Sequence, residues 1–397
     1  MVAFEAAVSR KAKTMTRREI LVRAFAGELS WSAAAQILGV TPRHLRRLRK
    51  RYEEHGVDGL QDKRGGQSRR RRVSVETIQE ICRLKKEVYP DFSMKHFHEK
   101  VTAKHELKLS YTLLRNVLQD AGLVEKAPAR GKYRRRRERR SMRGMMLHMD
   151  ASTHEWISGL PKWDLNVVMD DADGRILFAR FFPEEGTHST LVSLHAVLTR
   201  FGRFAELYTD RGSHFCRTPV AGGDAFTDGQ VSRACQVLGI KQILARSPAA
   251  RGRSERAFGT LQGRLPQELR LEGIMSYEDA NLFLERTFIP DFNERFTVEP
   301  SESASAFVPL AGIDLELILS EQAARVVDKD NTVSFQNMKL QLAPSDLRTH
   351  FVRCKVTVHR LLDQSLTVTH LGVPVGVFDA QGKPLVKPKR GKKRSAA

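Results

Sequence analysis

The sequence predicts a multidomain α/β protein: a helical front third, a mixed strand-and-helix core, and a small all-β domain behind it. Three observations carry this. Apolar residues recur at helical spacing through short segments from Thr16 to Tyr52 and again from Val75 to Gln119. From Gly144 to about Pro300, β-branched and aromatic runs alternate with amphipathic helices, the pattern of a layered α/β unit. Beyond Pro300 the helical period fades, and Thr332–Leu342, His350–Leu361 and Leu366–Val377 read as strands separated by turn residues.

Charge divides the chain along the same lines. The formal net charge is +21 over 397 residues, yet residues 1–149 hold 36 Lys and Arg against 16 Asp and Glu, while the remainder holds 31 against 30. The last fifteen residues carry seven cations and no acid, which leaves 150–382 at −6. A basic surface segregated in this way points to a polyanion, with nucleic acid the default partner. The four cysteines (Cys82, Cys216, Cys235, Cys354) form no C-x-x-C pair and no disulfide framework. His96 and His98 lack a neighbouring cysteine to complete a zinc site and read as helix-surface histidines. No apolar run approaches the ~18 residues of a membrane span. The N-terminus lacks a signal-peptide core, so a cytoplasmic protein with access to bacterial nucleoid DNA is expected.

The first unit, 1–64, opens with a helix whose start resembles a capping box at Thr16–Glu19. Ser30 caps a second helix, which Gly39 breaks. Thr41-Pro42 then starts a third helix, with proline where a missing N–H costs least. In that helix Leu45, Leu48 and Tyr52 face inward, leaving Arg43, His44, Arg46, Arg47 and Lys50 outward. Helix, short helix, glycine turn and basic helix is the helix-turn-helix plan, whose last helix enters the major groove. A generic three-helix bundle is the plain alternative, but its outer face would mix signs, and here no acid appears before Glu53. Arg69, Arg70 and Arg71 fall in an arm suited to a minor groove or to phosphates. Residues 65–130 form a second helical, helix-turn-helix-like set capped by Ser93 and Ser110, with DNA binding and plain packing both open. The connector 131–143 carries Arg134, Arg135 and Arg136, either a solvated linker or a strap along phosphates.

The core, 144–300, holds strand candidates at Met145–Met149, Leu165–Met169, Ile176–Phe182, Ala205–Tyr208 and Gln242–Leu244. Its helices are expected at Thr187–Phe201, Gln230–Leu238, Gly252–Leu265 and Ser276–Phe288. Three acids stand out by position. Asp150 ends the first strand, Asp210 follows the fourth, and Glu255 lies just inside the helix that opens after Ser247-Pro248. Convergent carboxylates are what a pair of Mg²⁺ ions needs, since such ions take hard oxygen ligands. Asp170, Asp171 and Asp173 are explained by a hairpin turn. His148 shares a side of its strand with Asp150, either behind it or in plain packing. Arg251, Arg253 and Arg256 flank Glu255 and either contact phosphates or are ordinary surface arginines; their position favours phosphates. A β-rich domain, 301–382, and a basic tail, 383–397, complete the chain.

TDRGSHF (209–215) and SPAARGRSERAFGTLQGRL (247–265) resemble the second-Asp and catalytic-Glu blocks of the DDE insertion-sequence transposases and retroviral-type integrases. With MDASTHEW, VVMDDADGRILFARFFPEE and FNERF, the likeness is greatest to the ISNCY-type transposases, over roughly residues 16–300. The resemblance implies an RNase H-like catalytic core and an SH3-like β domain. It implies two Mg²⁺ ions, replaceable by Mn²⁺, on Asp150, Asp210 and Glu255. It also implies DNA cleavage and strand transfer, with double-stranded transposon ends and target DNA as partners and a homo-oligomer formed on DNA. One departure is the 45-position gap from Asp210 to Glu255, longer than the integrase-type spacing, which Cys216–Gln230 would absorb as an insertion. The rival class is an inactive, domesticated DNA-binding regulator; the presence of all three acids weighs against it. A plain nuclease on the same scaffold would leave the helix-turn-helix unexplained.

Overall fold

The computed structural model describes residues 16–60, 73–125, 138–217, 227–245, 252–345 and 348–385. Contacts divide the chain into two compact units, 1–81 and 82–397.

In the first unit, helix α1 (16–25) is followed by α2 (Trp31–Ile37) and α3 (Pro42–His55). Ser30 Oγ accepts the Ala33 N–H at 3.2 Å and Thr41 Oγ1 accepts that of His44 at 3.2 Å, so both expected caps form. Leu21, Ala24, Ala34, Ala35, Leu45, Leu48 and Leu60 make the core. Arg49 is drawn down onto Trp31, 4.7 Å from its ring, and pairs with Glu53. Arg43, Arg46, Arg47 and Lys50, spaced i, i+3, i+4 and i+7, remain exposed as one stripe.

Helix α4 (Val75–Arg83) leads through a π-turn to α5 (Met94–Lys104) and α6 (Tyr111–Asp120). The central sheet then builds from β1 (Met146–His154), β2 (Trp163–Asp170) and β3 (Ile176–Phe182), followed by α7 (Thr187–Phe201) and β4 (Glu206–Thr209). After a short ribbon of β5 (Cys216–Arg217) and β6 (Thr227–Asp228) come α8 (Gln230–Val237) and β7 (Lys241–Leu244). The strand order is β3-β2-β1-β4-β7. The first three strands are antiparallel, and β4 and β7 add in parallel, as an RNase H-like core requires.

One sheet face packs Leu147, Met149, Val168 and Leu207 against α7 and α8. The other packs Leu165, Val167, Ala179 and Phe181 against the helices that follow: α9 (Gly252–Gln262), α10 (Leu265–Leu271), α11 (Tyr277–Phe283) and α12 (Ile289–Phe296). The long helix expected over Gly252–Leu265 breaks at Gly263-Arg264, and Pro266 sits in the first turn of α10 rather than ending α9. Two asparagines close the open edge of β3. Asn281 exchanges hydrogen bonds with the backbone of Phe181, and Asn293 with that of Ile176. The edge therefore offers fewer free backbone groups to a foreign strand.

A strap then runs back under the sheet. Ala306 donates its N–H to Arg143 O, and Val308 and Arg203 exchange backbone bonds. Phe307 fills the space where a Cβ on Gly144 would lie, 2.8 Å away, and Gly144 itself has φ +79°. A short helix, α13 (Leu315–Ile318), leads into six strands: β8 (Glu321–Val326), β9 (Thr332–Phe335), β10 (Met338–Gln341), β11 (Lys355–Arg360), β12 (Leu366–His370) and β13 (Val373–Phe378). They form a four-stranded sheet, β13-β12-β11-β8, and the pair β10-β9, around a core that includes Val333, Leu340, Phe351, Val358 and Phe378.

A sequence expectation also fails on α5. His96 is not on the helix surface: it is fully buried, stacked 4.1 Å from Phe92, and its Nε2 lies 2.7 Å from Glu268 Oε1. Helix α5 docks on α10 through opposite charges. Glu268 accepts from His96 and from Lys100 Nζ at 2.6 Å, while Glu99 accepts two bonds from Arg264 at 2.6 and 3.1 Å. Burial alone would raise the Glu268 pKa, but the bonds from His96 and Lys100 and the Lys100 charge outweigh it and hold the group at about 2. Burial keeps His96 neutral by lowering its own pKa, so its Nε2 carries the donated proton. Because the folded pKa lies below the ordinary 4.5, the stabilisation is complete above that pH and is lost as pH falls toward 2. Melting curves of the wild type and Glu268→Gln are therefore expected to differ at pH 7 and to converge between pH 4.5 and 2. A difference that persists at the acid end would contradict this.

Candidate active site

Parallel pairing sets His148 of β1 against Tyr208 of β4. Two residues on along each chain are Asp150, inside β1, and Asp210, one residue past the end of β4, so both carboxylates come just after the stretch where the two strands pair. Leu147 and Met149 face α7 and α8, which turns Asp150 toward the α9 layer. Its antiparallel partner Val167 lies in that same layer. Asp210 follows Tyr208 by two, one residue beyond β4, at the start of the loop that leads to Gly212. Both aspartates are half-buried. Asp150 Oδ1 accepts the Ala151 N–H at 2.9 Å and Asp210 Oδ1 that of Gly212 at 2.8 Å. Asp150 lies inside β1 rather than at its end, because Ala151–His154 go on pairing with Asn166–Trp163 after β4 has stopped.

Glu255 occupies the exposed side of the first turn of α9. Two turns further, on the same stripe of that helix, Gln262 Nε2 donates to Ser152 Oγ at 2.8 Å, so α9 lies against β1 on the face that carries Asp150. Among the described residues, no group of three carboxylate, imidazole or thiol side chains is gathered so as to hold a metal ion. Segment 246–251, immediately before α9, lies outside the described residues. Two half-buried carboxylates, each just past the β1–β4 pairing, suit a divalent cation by donor chemistry: hard oxygens with room left for further ligands.

The acids of the β2–β3 turn are structural. Asp170, Asp171 and Asp173 are at most 1% exposed. Asp170 accepts the N–H groups of Gly144 and Ala172, both at the turn end of β1 and β2. Asp171 accepts from Arg140 N–H at 2.8 Å and pairs with His148 Nε2 at 2.7 Å. Asp173 pairs with Arg143 at 2.7 Å. Burial pushes Asp170 up to about 6, with Asp173 and Asp171 adding like-charge repulsion against the two backbone bonds. His148 thus anchors β1 to the turn from beside Asp150.

The curated relatives are transposases. The chain is 30% identical to a putative transposase, y4bF, of Sinorhizobium fredii (strain NBRC 101917 / NGR234), over 94% of this chain and 82% of that protein. It is 27% identical to the transposase for insertion sequence IS1202 of Streptococcus pneumoniae, over 85% of this chain and 80% of that protein. The chain belongs to the transposases. Residues 16–72 of this transposase also match a helix-turn-helix domain family, the segment where α1–α3 present the Arg43–Lys50 stripe. Among solved structures, the HTLV-2 integrase catalytic core domain in complex with magnesium is 16% identical, with 36% of this chain and 82% of that one covered and a TM-score of 0.28. A simian T-cell lymphotropic virus intasome in complex with PP2A regulatory subunit B56 gamma is 14% identical, with 75% and 100% covered and a TM-score of 0.32.

Of the remaining expected DNA contacts of the transposase, His44 is half-buried on α3 and Arg256 is exposed on α9, where its Nε donates to Gly252 O at 2.7 Å. Arg69, Arg70, Arg71, Arg134, Arg135, Arg136 and Arg251, and the side chain of Arg253, lie outside the described residues. No helix of the described residues is long and apolar enough to cross a membrane. Two acids escape a reading of the sequence alone: Glu185, 3.3 Å from His214, and Asp164, which accepts the Glu185 N–H. Glu185 follows Glu184 in the loop after β3 and Asp164 lies near the start of β2, and no spacing signal marks either.

Proposed function

We propose that this transposase binds the terminal inverted repeats of its own element, cleaves them, and joins the freed ends to target DNA. What supports the proposal most is the parallel pairing of β1 with β4, which ends at His148 and Tyr208, two residues before Asp150 and Asp210. In this reading Asp150, Asp210 and Glu255 hold two Mg²⁺ ions, with Mn²⁺ an effective substitute. Ions bound there would supply charge stabilisation to the oxygens entering and leaving phosphorus. The chain's own part is to hold the strand in line and exclude competing geometry, which is most of what phosphoryl transfer asks of a protein.

The α3 stripe lies in the major groove, with Arg43, His44, Arg46, Arg47 and Lys50 on base edges and flanking phosphates. The arm arginines 69–71, the connector arginines 134–136, and Arg251, Arg253 and Arg256 track the backbone. Two ends must meet for joining, so the working form is a homo-oligomer assembled on DNA, acting on the bacterial nucleoid. The direct test uses the DNA flanking the gene. Duplexes carrying its inverted repeats, incubated with the protein and Mg²⁺ or Mn²⁺, should be nicked at the repeat boundary and joined to a plasmid. Absence of both products with either ion would reject the proposal.

A second prediction concerns affinity alone. Replacing Arg46 and Arg47 with Ala should flatten the dependence of log K on log salt by about 0.9 for each phosphate that the side chains no longer neutralise. Measured by fluorescence anisotropy across a salt series, an unchanged slope would remove α3 from the interface.

A further inference from the structure

Gly212 sits where two functional-looking groups crowd together. A Cβ placed on it would lie 2.7 Å from His214 Cε1 and 3.0 Å from Asp210 Oδ1. The imidazole and the carboxylate therefore approach one another over a bare Cα, and the Gly212 N–H is donated to that carboxylate. The far side of the ring faces another acid. His214 Nε2 stands 3.3 Å from Glu185 Oε1, an ion-pair distance although not aligned as a hydrogen bond. Glu185, in the loop between β3 and α7, is itself tied down. Its N–H donates to Asp164 Oδ2 at 2.6 Å, and Asp164 Oδ1 accepts from Thr153 Oγ1. Thr153 lies on β1, three residues beyond Asp150. The ring also lies 4.1 Å from that of Phe215, which is buried in the α7–α8 core.

A polar chain thus runs from the Asp210 loop through His214, Glu185, Asp164 and Thr153 to the strand that bears Asp150. We propose that His214 and Glu185 are positioning residues: together they brace the Asp210 loop so that its carboxylate keeps a fixed relation to Asp150 for binding a divalent cation. The inference rests on the reading of Asp150 and Asp210 as a cation site. Groups that orient a ligating carboxylate typically change metal affinity by roughly 10- to 100-fold when removed. The pair does this without touching the ion. The brace also gives the T-D-R-G-S-H-F segment a physical logic, since glycine at 212 is what lets ring and carboxylate share one space.

The test is a Mn²⁺ titration of the full chain without DNA, followed by electron paramagnetic resonance. His214→Ala and Glu185→Ala should each raise the half-saturating Mn²⁺ concentration roughly tenfold. Melting temperature and affinity for a short duplex of arbitrary sequence should stay unchanged. His214→Gln, which keeps a donor toward Glu185, should restore most of the loss. If His214→Ala fails to fold, Glu185→Ala tests the same brace from its half-buried acidic end. Asp150→Asn and Asp210→Asn are the controls. If they abolish Mn²⁺ binding while the brace variants titrate like wild type, the brace is wrong and the site stands. If the controls also bind normally, the site itself is wrong and the brace falls with it.

Discussion

Asp150→Asn is expected to abolish cleavage and strand transfer, by roughly a thousandfold or more, while leaving DNA affinity within about twofold. The amide is nearly isosteric, and its Oδ1 still accepts the Ala151 N–H, so β1 keeps its pairing with both β2 and β4. In the proposed site, what disappears is a negative hard-oxygen donor, worth several kcal/mol at the transition state. The basic stripe of α3 lies in the other compact unit and is untouched. End-labelled cleavage assays and anisotropy on the same preparation read the two effects separately. Retained chemistry would mean that Asp150 is not part of the reacting centre; binding lost in parallel would mean that the substitution disturbs the fold.

Glu268→Gln is expected to destabilise the second unit by about 3 kcal/mol, because removing one partner leaves a buried charge without compensation. Lys100 is only 13% exposed, and the amide of glutamine presents N–H where either His96 or Lys100 also donates. The nearby Lys104–Glu272 pair, at 3.8 Å and about half exposed, contributes little and cannot substitute. Hydrogen exchange should rise first in α5 and α6, the elements held by the clamp. The double variant Lys100→Met with Glu268→Leu should recover most of the loss, since removing both charges removes the desolvation penalty as well. Persistent instability in that double variant would indicate that packing shape, rather than charge pairing, holds α5 on α10.

Much of the architecture is legible in local pattern. Ser30, Thr41, Ser93 and Ser110 each cap the helix that follows, as the sequence predicts, because an N-cap is decided by a few neighbouring residues. The five core strands are legible from β-branched and aromatic runs, although β1 extends five residues past Met149. Its polar continuation Asp150–His154 is stabilised by pairing with β2, a long-range choice invisible to periodicity. His96 eludes the sequence for a related reason: its helix looks amphipathic in isolation, and only Glu268, 172 positions away, makes burial tolerable. That Asp150 and Asp210 each come two residues after the last paired residues of β1 and β4 follows from strand position plus parallel register. The brace around Gly212 is hidden in the sequence, since His214, Glu185 and Asp164 are scattered acids and a histidine until the sheet assembles them.

The reciprocal pairing of α5 with α10 has a bearing on how such proteins can be rebuilt. Helix α5 offers both signs, Glu99 and Lys100, and α10 answers with Arg264 and Glu268. A chimera that grafts residues 82–125 onto a foreign core would bring a cation and an anion to a surface that answers neither, unless both answering positions travel with it. The two segments therefore behave as a matched lock, inherited or swapped together.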